Sequence, residues 1–172
     1  MKSISCKVAF ALILVVCAGC GDTSAPDKSG TVTGTSADPI VHFKAGDSKM
    51  NTAISKARAT ADRFIKALNA PQPNQTGFSI KKEFPTKHGT GEHIWLSDVT
   101  YANGVFSSLV DNDPEDVANL KAGDKATVAK GEISDWMFRE GSDTFVGAYT
   151  LRVMLENTNA GDAALRKMKF KD

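Results

Sequence analysis

Six side chains in three stretches of this 172-residue chain have the types and spacing for recognition or acid–base chemistry. His93 and Trp95 lie in Glu92-His93-Ile94-Trp95-Leu96, and Asp135 and Trp136 in Ile133-Ser134-Asp135-Trp136-Met137. Tyr149 and Arg152 lie in Gly147-Ala148-Tyr149-Thr150-Leu151-Arg152. An imidazole within reach of a carboxylate is a pairing for general acid–base work. A guanidinium grips a carboxylate through two parallel hydrogen bonds. Tryptophan, tyrosine and arginine also dominate binding hot spots. His93 and Trp95 share one face of an alternating segment, so the six are read as candidate binding residues lining one groove. The competing structural reading puts both tryptophans in the core and makes Asp135–Arg152 a buried ion pair joining the last two elements.

Other chemistries lack their residues. There is no Gly-x-Ser-x-Gly, phosphate loop, dinucleotide fingerprint or His-Glu-x-x-His. Ser79-Ile80-Lys81-Lys82 spells Ser-x-x-Lys, but on an alternating segment rather than at a helix start. The histidines His42, His88 and His93 are not spaced to converge on a metal, so neither metal nor cofactor is expected. The carboxylates Asp111, Asp113, Glu115 and Asp116 surround Pro114 and suit turns and caps better than an acid/base pair. All three cysteines, Cys6, Cys17 and Cys20, lie in the first 20 residues, so a disulfide framework in the folded part is excluded by count.

The elements that must position the six follow from periodicity. Asp47 or Ser48 caps a helix running to about Leu68, with Met50, Ile54, Ala57, Ala61, Phe64, Ile65 and Leu68 on one face and Pro71 and Pro73 beyond its end. The period then falls to two. Phe78, Ile80, Lys82 and Phe84 alternate with Ser79, Lys81 and Glu83, and Glu92–Tyr101 follows as a strand. Ala102-Asn103-Gly104 turns into a hairpin strand over Val105–Val110. Asp113 to Leu120 is a short loop or helix, and Lys125–Lys130 and Glu132–Phe138 are further strands. Phe145–Glu156 is read as a helix despite Gly147, and Ala160 to Lys169 as a short one. The fold class is α+β. One long N-terminal helix packs on a curved antiparallel sheet of about five strands, with short helical elements at the C-terminus.

The first residues carry a different message. Lys2 and Lys7 precede the apolar run Val8–Val16, and Cys17-Ala18-Gly19-Cys20 follows. A basic start, a short apolar stretch and small residues before a cut describe a secretory signal. The run is too short to span a bilayer, which takes ~20 apolar residues. A cysteine directly after Ala-Gly resembles the bacterial lipobox, with Cys17 where leucine is usual. Residues 1–19 are thus read as a lipoprotein signal and Cys20 as the lipidated residue, its acyl chains making the membrane a partner. Gly21, rather than aspartate, after Cys20 points to the outer membrane, facing the periplasm, if the organism is Gram-negative. Residues 20–39 are rich in Gly, Ser, Thr, Asp and Pro and read as a flexible linker with a reach of roughly 25 Å. The competing reading there is an edge strand through Thr31–Thr35. Residues 40–172 form the single domain. Without Lys2 and Lys7 the rest holds 19 Lys and Arg against 20 Asp and Glu. A near-neutral surface has no field to gather a polyanion, so nucleic acid is not an expected partner.

The three stretches, in order and preceded by the helix sequence Met50-Asn51-Thr52-Ala53-Ile54-Ser55-Lys56-Ala57-Arg58-Ala59-Thr60, resemble the YegJ-like family DUF2314 over roughly Ile40 to Leu155. The resemblance implies a small bacterial α+β domain, found as lipoproteins and in cytosolic settings, with no established reaction. The occurrence of related domains near polymorphic toxin genes implies immunity-type binding. The leading expectation is a non-enzymatic, lipid-anchored envelope domain that binds a protein or peptide. The alternatives are an envelope hydrolase using His93 as general base with Asp135 or Glu92, and a purely structural lipoprotein.

Overall fold

The computed structural model describes residues 30–33, 40–43, 47–157 and 167–172. The segment read as a signal, Cys20 and most of the segment read as a linker lie outside the described residues. Inside the segment expected to be a flexible linker, β1 (Gly30–Thr33) pairs antiparallel with β2 (Ile40–Phe43), Thr31 opposite His42. The competing strand reading matches the structure at residues 31–33, where Thr31-Val32-Thr33 is β-branched and favours extended backbone, while Gly34 and Thr35 lie outside the described residues.

The Asp47 carboxylate accepts from the Met50 N–H at 2.9 Å and caps α1 (Ser48–Ala59). The single long helix of the sequence reading is two helices, since α2 (Ala61–Asn69) starts after a break at Thr60. The Thr60 hydroxyl donates back to the Lys56 and Ala57 carbonyls, a local bond that competes with a regular helix. Among the described residues seven strands follow, not about five: β3 (Gln75–Pro85), β4 (Gly91–Ala102), β5 (Val105–Val110), β6 (Lys125–Ala129), β7 (Ile133–Glu140), β8 (Thr144–Gly147) and β9 (Lys169–Lys171). Their order across the sheet is β6-β5-β4-β3-β7-β8-β9. Neighbours are antiparallel except β8 and β9, which run parallel.

The stretch read as one helix from Phe145 divides into β8 and α3 (Tyr149–Asn157). Gly147 and Ala148 make the corner with φ of 79° and 54°. A Cβ on Gly147 would run into the Trp136 backbone and ring, so glycine serves both the turn and the close approach there. The segment Asp113 to Leu120 is an irregular loop. Of the tail expected to be helical, residues 160–166 lie outside the described residues, and Lys169 opens β9.

The core sits between the helices and one sheet face. Ala53, Ala57, Ala61 and Phe64 meet Ile80, Leu96, Phe106, Val128 and Trp136. Small alanines along α1 and α2 let the helices approach the sheet, while Phe64 packs its ring 5.5 Å from Trp136 and 6.0 Å from Phe106. Phe64, Phe106 and Trp136 are fully buried. At ~25 cal/mol per Å² of apolar surface, such side chains contribute roughly 2–3 kcal/mol each.

Candidate functional site

Successive strand residues point to opposite sheet faces. Ile80 belongs to the helix-covered core, so Lys81 faces the other side. Its cross-strand partners are Trp95 on β4 and Asp135 on β7. The row Trp95–Lys81–Asp135 thus crosses three adjacent strands. Each position was legible as a strand residue, but only strand pairing aligns them.

Asp135 is fully buried. It lies where β7 is no longer paired with β8, and α3 covers that stretch of β7. One carboxylate oxygen accepts from the backbone N–H groups of Trp136 and Tyr149 at 2.9 and 3.0 Å. The other accepts from the Thr150 N–H at 2.7 Å and its hydroxyl at 2.6 Å. Asp135 therefore caps α3 from a neighbouring strand, satisfying N–H groups that have no partner within the helix. Burial pushes its carboxyl above the ordinary value, against the opposing pull of Lys81 and the hydrogen bonds from Thr150 and Trp136.

Lys81 is 5% exposed. Its ammonium donates to the Thr150 hydroxyl at 3.3 Å and approaches the Met154 sulfur at 3.9 Å. It also lies 4.7 Å from the centroid of the Trp95 ring. Burial lowers its pKa to about 8, with Asp135 pulling the other way. Lys81 was absent from the sequence-derived candidates. Its only signal was alternation, which sets Ser79, Lys81 and Glu83 on the face away from Ile80.

His93 is exposed, two residues from Trp95 on the same face. Its Nδ1 is 2.9 Å from the Ser134 hydroxyl. Desolvation lowers its pKa, opposed by Glu83 and aided by Lys81 and Arg58. The two carboxylates proposed as its partners are engaged elsewhere. Glu92 accepts from the backbone N–H groups of Glu115 and Asp116, both at 3.0 Å, and Asp135 caps α3. Ser134 is buried, so the Ser134–His93 contact does not offer a hydroxyl to a substrate.

The other three candidates lie apart from this face. Trp136 is in the core, its indole N–H donating to the Ala57 carbonyl at 2.9 Å. Tyr149 is buried edge-on against Trp136, ring centroids 5.7 Å apart. Arg152 reaches the C-terminal strand, donating to the Gly147 and Lys171 carbonyls at 2.7 and 2.8 Å and to Asp172 at 2.7 Å. The expected Asp135–Arg152 ion pair is therefore replaced by two separate arrangements, because Tyr149 and Thr150 place the helix N-terminus on Asp135. The six candidates do not form one groove. His93 and Trp95 share a face with Lys81, Asp135 supports it from below, and Trp136 and Tyr149 belong to the core. Among the described residues, no three His, Cys, Asp or Glu side chains converge at metal-ligating distance.

Comparison with known proteins agrees with the reading of the three stretches. The family model of DUF2314, described as an uncharacterized protein conserved in bacteria, matches residues 47–167. The chain is 41% identical over 106 residues to the uncharacterized protein YegJ of Escherichia coli K12, covering 62% of this chain and 67% of that protein. It is 29% identical over 125 residues to a putative ankyrin repeat protein of Neisseria meningitidis serogroup B, covering 68% of this chain and 49% of that one. No solved structure matches it significantly. With its α+β fold and a family match extending over most of its length, the chain belongs to DUF2314, a bacterial family of unknown function.

Proposed function

We propose that this protein is a non-enzymatic binding module held at the cell envelope by acyl chains on Cys20, and that it recognises a protein or peptide through the face carrying Trp95 and His93. The observation that supports it most is the setting of Trp95. The indole is half-buried beside α3 on the sheet face away from Ile80 and lies over the Lys81 ammonium at 4.7 Å. A desolvated cation beneath an indole is worth ~2 kcal/mol. That contact orients the ring before a partner arrives, which reduces the ordering cost of binding. His93 adds an exposed polar group beside it. The hydrolase alternative assigned Asp135 or Glu92 to His93, and both of those carboxylates accept from backbone N–H groups elsewhere, while the hydrogen-bond partner of the ring is the buried Ser134.

The test is capture of envelope and secreted proteins on the detergent-solubilised full chain, with Trp95→Ala in parallel. Trp95→Ala should lose a stoichiometric partner while its urea unfolding midpoint stays close to that of the wild type. Retention of every partner by a folded Trp95→Ala protein would remove this face from the proposal.

A further inference from the structure

The seven-stranded sheet ends in two edges of different kinds. β9 is three residues long and carries Lys169 and Lys171, and a short, charged strand discourages pairing with another chain. β6, at the opposite edge, is five residues long and pairs with β5 without a register shift. It holds no proline, and its one charged residue is Lys125 at its first position. Among the described residues no strand pairs with its outer side. The groups lining that side follow from the ladder with β5. The Val110 N–H donates to the Asp124 carbonyl at 2.9 Å and the Lys130 N–H to the Gly104 carbonyl at 3.3 Å, so even-numbered positions turn their peptide groups towards β5. Lys125, Thr127 and Ala129 therefore turn theirs outward. The Ala129 N–H is taken by the Glu132 carboxylate at 3.0 Å, which closes the edge at that end. Both backbone groups of Lys125 and Thr127 and the Ala129 carbonyl stay open.

We propose that this edge is an interface between two copies of the chain, β6 pairing antiparallel with β6 about a two-fold axis at Thr127. The open groups are self-complementary in that register. The two Thr127 residues exchange N–H and C=O, and each Lys125 N–H meets the Ala129 carbonyl of the other copy. Charge selects the register. With Thr127 at the centre, Asp124 of each copy is directed to the Lys130 end of the other, and the two Lys125 side chains are kept apart. A centre at Ala126 would set the two Lys125 side chains diagonally across from each other, a like-charge pairing. A centre at Val128 would bring the occupied Ala129 N–H into the ladder and lose bonds. An axis normal to the sheet joins the two seven-stranded sheets into one and keeps the helices of both copies on the same side. The proposal is independent of the Trp95 face, which this arrangement leaves uncovered.

Thr127→Pro removes an N–H that the β5 ladder does not use, so it acts on the edge and spares the fold. Sedimentation of the detergent-solubilised full chain should show a concentration-dependent wild-type dimer. Thr127→Pro should weaken that association about tenfold or more, with a urea midpoint close to that of the wild type. The register is tested separately by cross-linking, which needs no proline. Opposed Cα atoms of a hydrogen-bonded antiparallel pair are about 5.5 Å apart, within reach of a disulfide. Mild oxidation should link Thr127→Cys chains to each other through the peptide that contains residue 127, as read by mass spectrometry. Lys125→Cys chains should not link to each other through residue 125. A monomeric wild type, or a dimer that a folded Thr127→Pro chain retains in full, would overturn the proposal. So would linkage through residue 125 in preference to 127, or a Thr127→Cys chain linked to a different protein, since the edge would then belong to another partner.

Discussion

A lysine taken out of water holds its proton less firmly than a free one, and Lys81 shows the consequence for stability. Its folded pKa near 8 lies below the ordinary 10.5, because burial outweighs the attraction of Asp135. Between those two values the unfolded chain binds more protons than the folded one, so stability rises with pH. Below about pH 8 the cost of the buried charge is fully present, on the order of 3 kcal/mol. It fades as pH climbs towards 10.5. Urea midpoints measured from pH 8 to 10.5 should therefore show the wild type gaining stability relative to Lys81→Met. A gap independent of pH would mean that Lys81 titrates as an exposed lysine does. Keeping a charged group at this cost is intelligible if the ammonium organises Trp95 and Thr150, which a methionine cannot do.

At the scale of elements, the junction of β7 with α3 is decisive. α3 has no capping side chain of its own, since Ala148 precedes it in a left-handed conformation at φ 54°. Asp135 supplies the cap from β7, accepting from Tyr149, Thr150 and its own neighbour Trp136. Asp135→Ala should cost about 3 kcal/mol or more, because it strands buried N–H groups and leaves Lys81 without its counter-charge. Asp135→Asn keeps an acceptor oxygen and should cost clearly less. Equal losses from the two, measured by urea unfolding, would show that the hydrogen bonds to α3 are not what Asp135 contributes. The same junction separates the candidate residues: Tyr149 turns inward against Trp136, Thr150 turns outward to Asp135 and Lys81, and Arg152 reaches β9.

The whole molecule couples this domain to a proposed anchor some distance along the chain. One acyl chain gives reversible membrane binding and two or more make attachment effectively permanent. Cys20→Ala should therefore move the chain from the membrane fraction to the soluble fraction, with an unchanged unfolding midpoint. A Cys20→Ala chain that stays in the membrane fraction would eliminate lipidation at Cys20 as the anchor. Among the described residues no helix is long and apolar enough to cross a membrane, so the domain itself offers no span of that kind.

Local pattern alone determined much of this protein. Apolar spacing of three and four marked Met50 to Leu68 as helical, and its cap was narrowed to Asp47 or Ser48 by chemistry confined to one turn, the structure choosing Asp47. Alternation located β3, β4 and the β5 hairpin, and three short strings carried the family. The break at Thr60 was harder to read, since a threonine is tolerated in most helices and here its hydroxyl turns back on Lys56 and Ala57. The seven-strand order was not legible. Strands as short as β8 and β9 have too few residues to show a period, and β9 pairs with a strand more than twenty positions away. Tertiary structure alone decided which polar residues meet. Alternation set Lys81 on the face of Ser79 and Glu83, and only the registers of β3 with β4 and β7 bring Trp95 and Asp135 to either side of it. Arg152 and Asp135 are adjacent to the same helix turn, yet opposite directions around α3 send one to the tail and the other to the helix N-terminus. Sequence spacing encodes the face of an element, whereas the neighbour of that face is set by packing between elements remote in the chain.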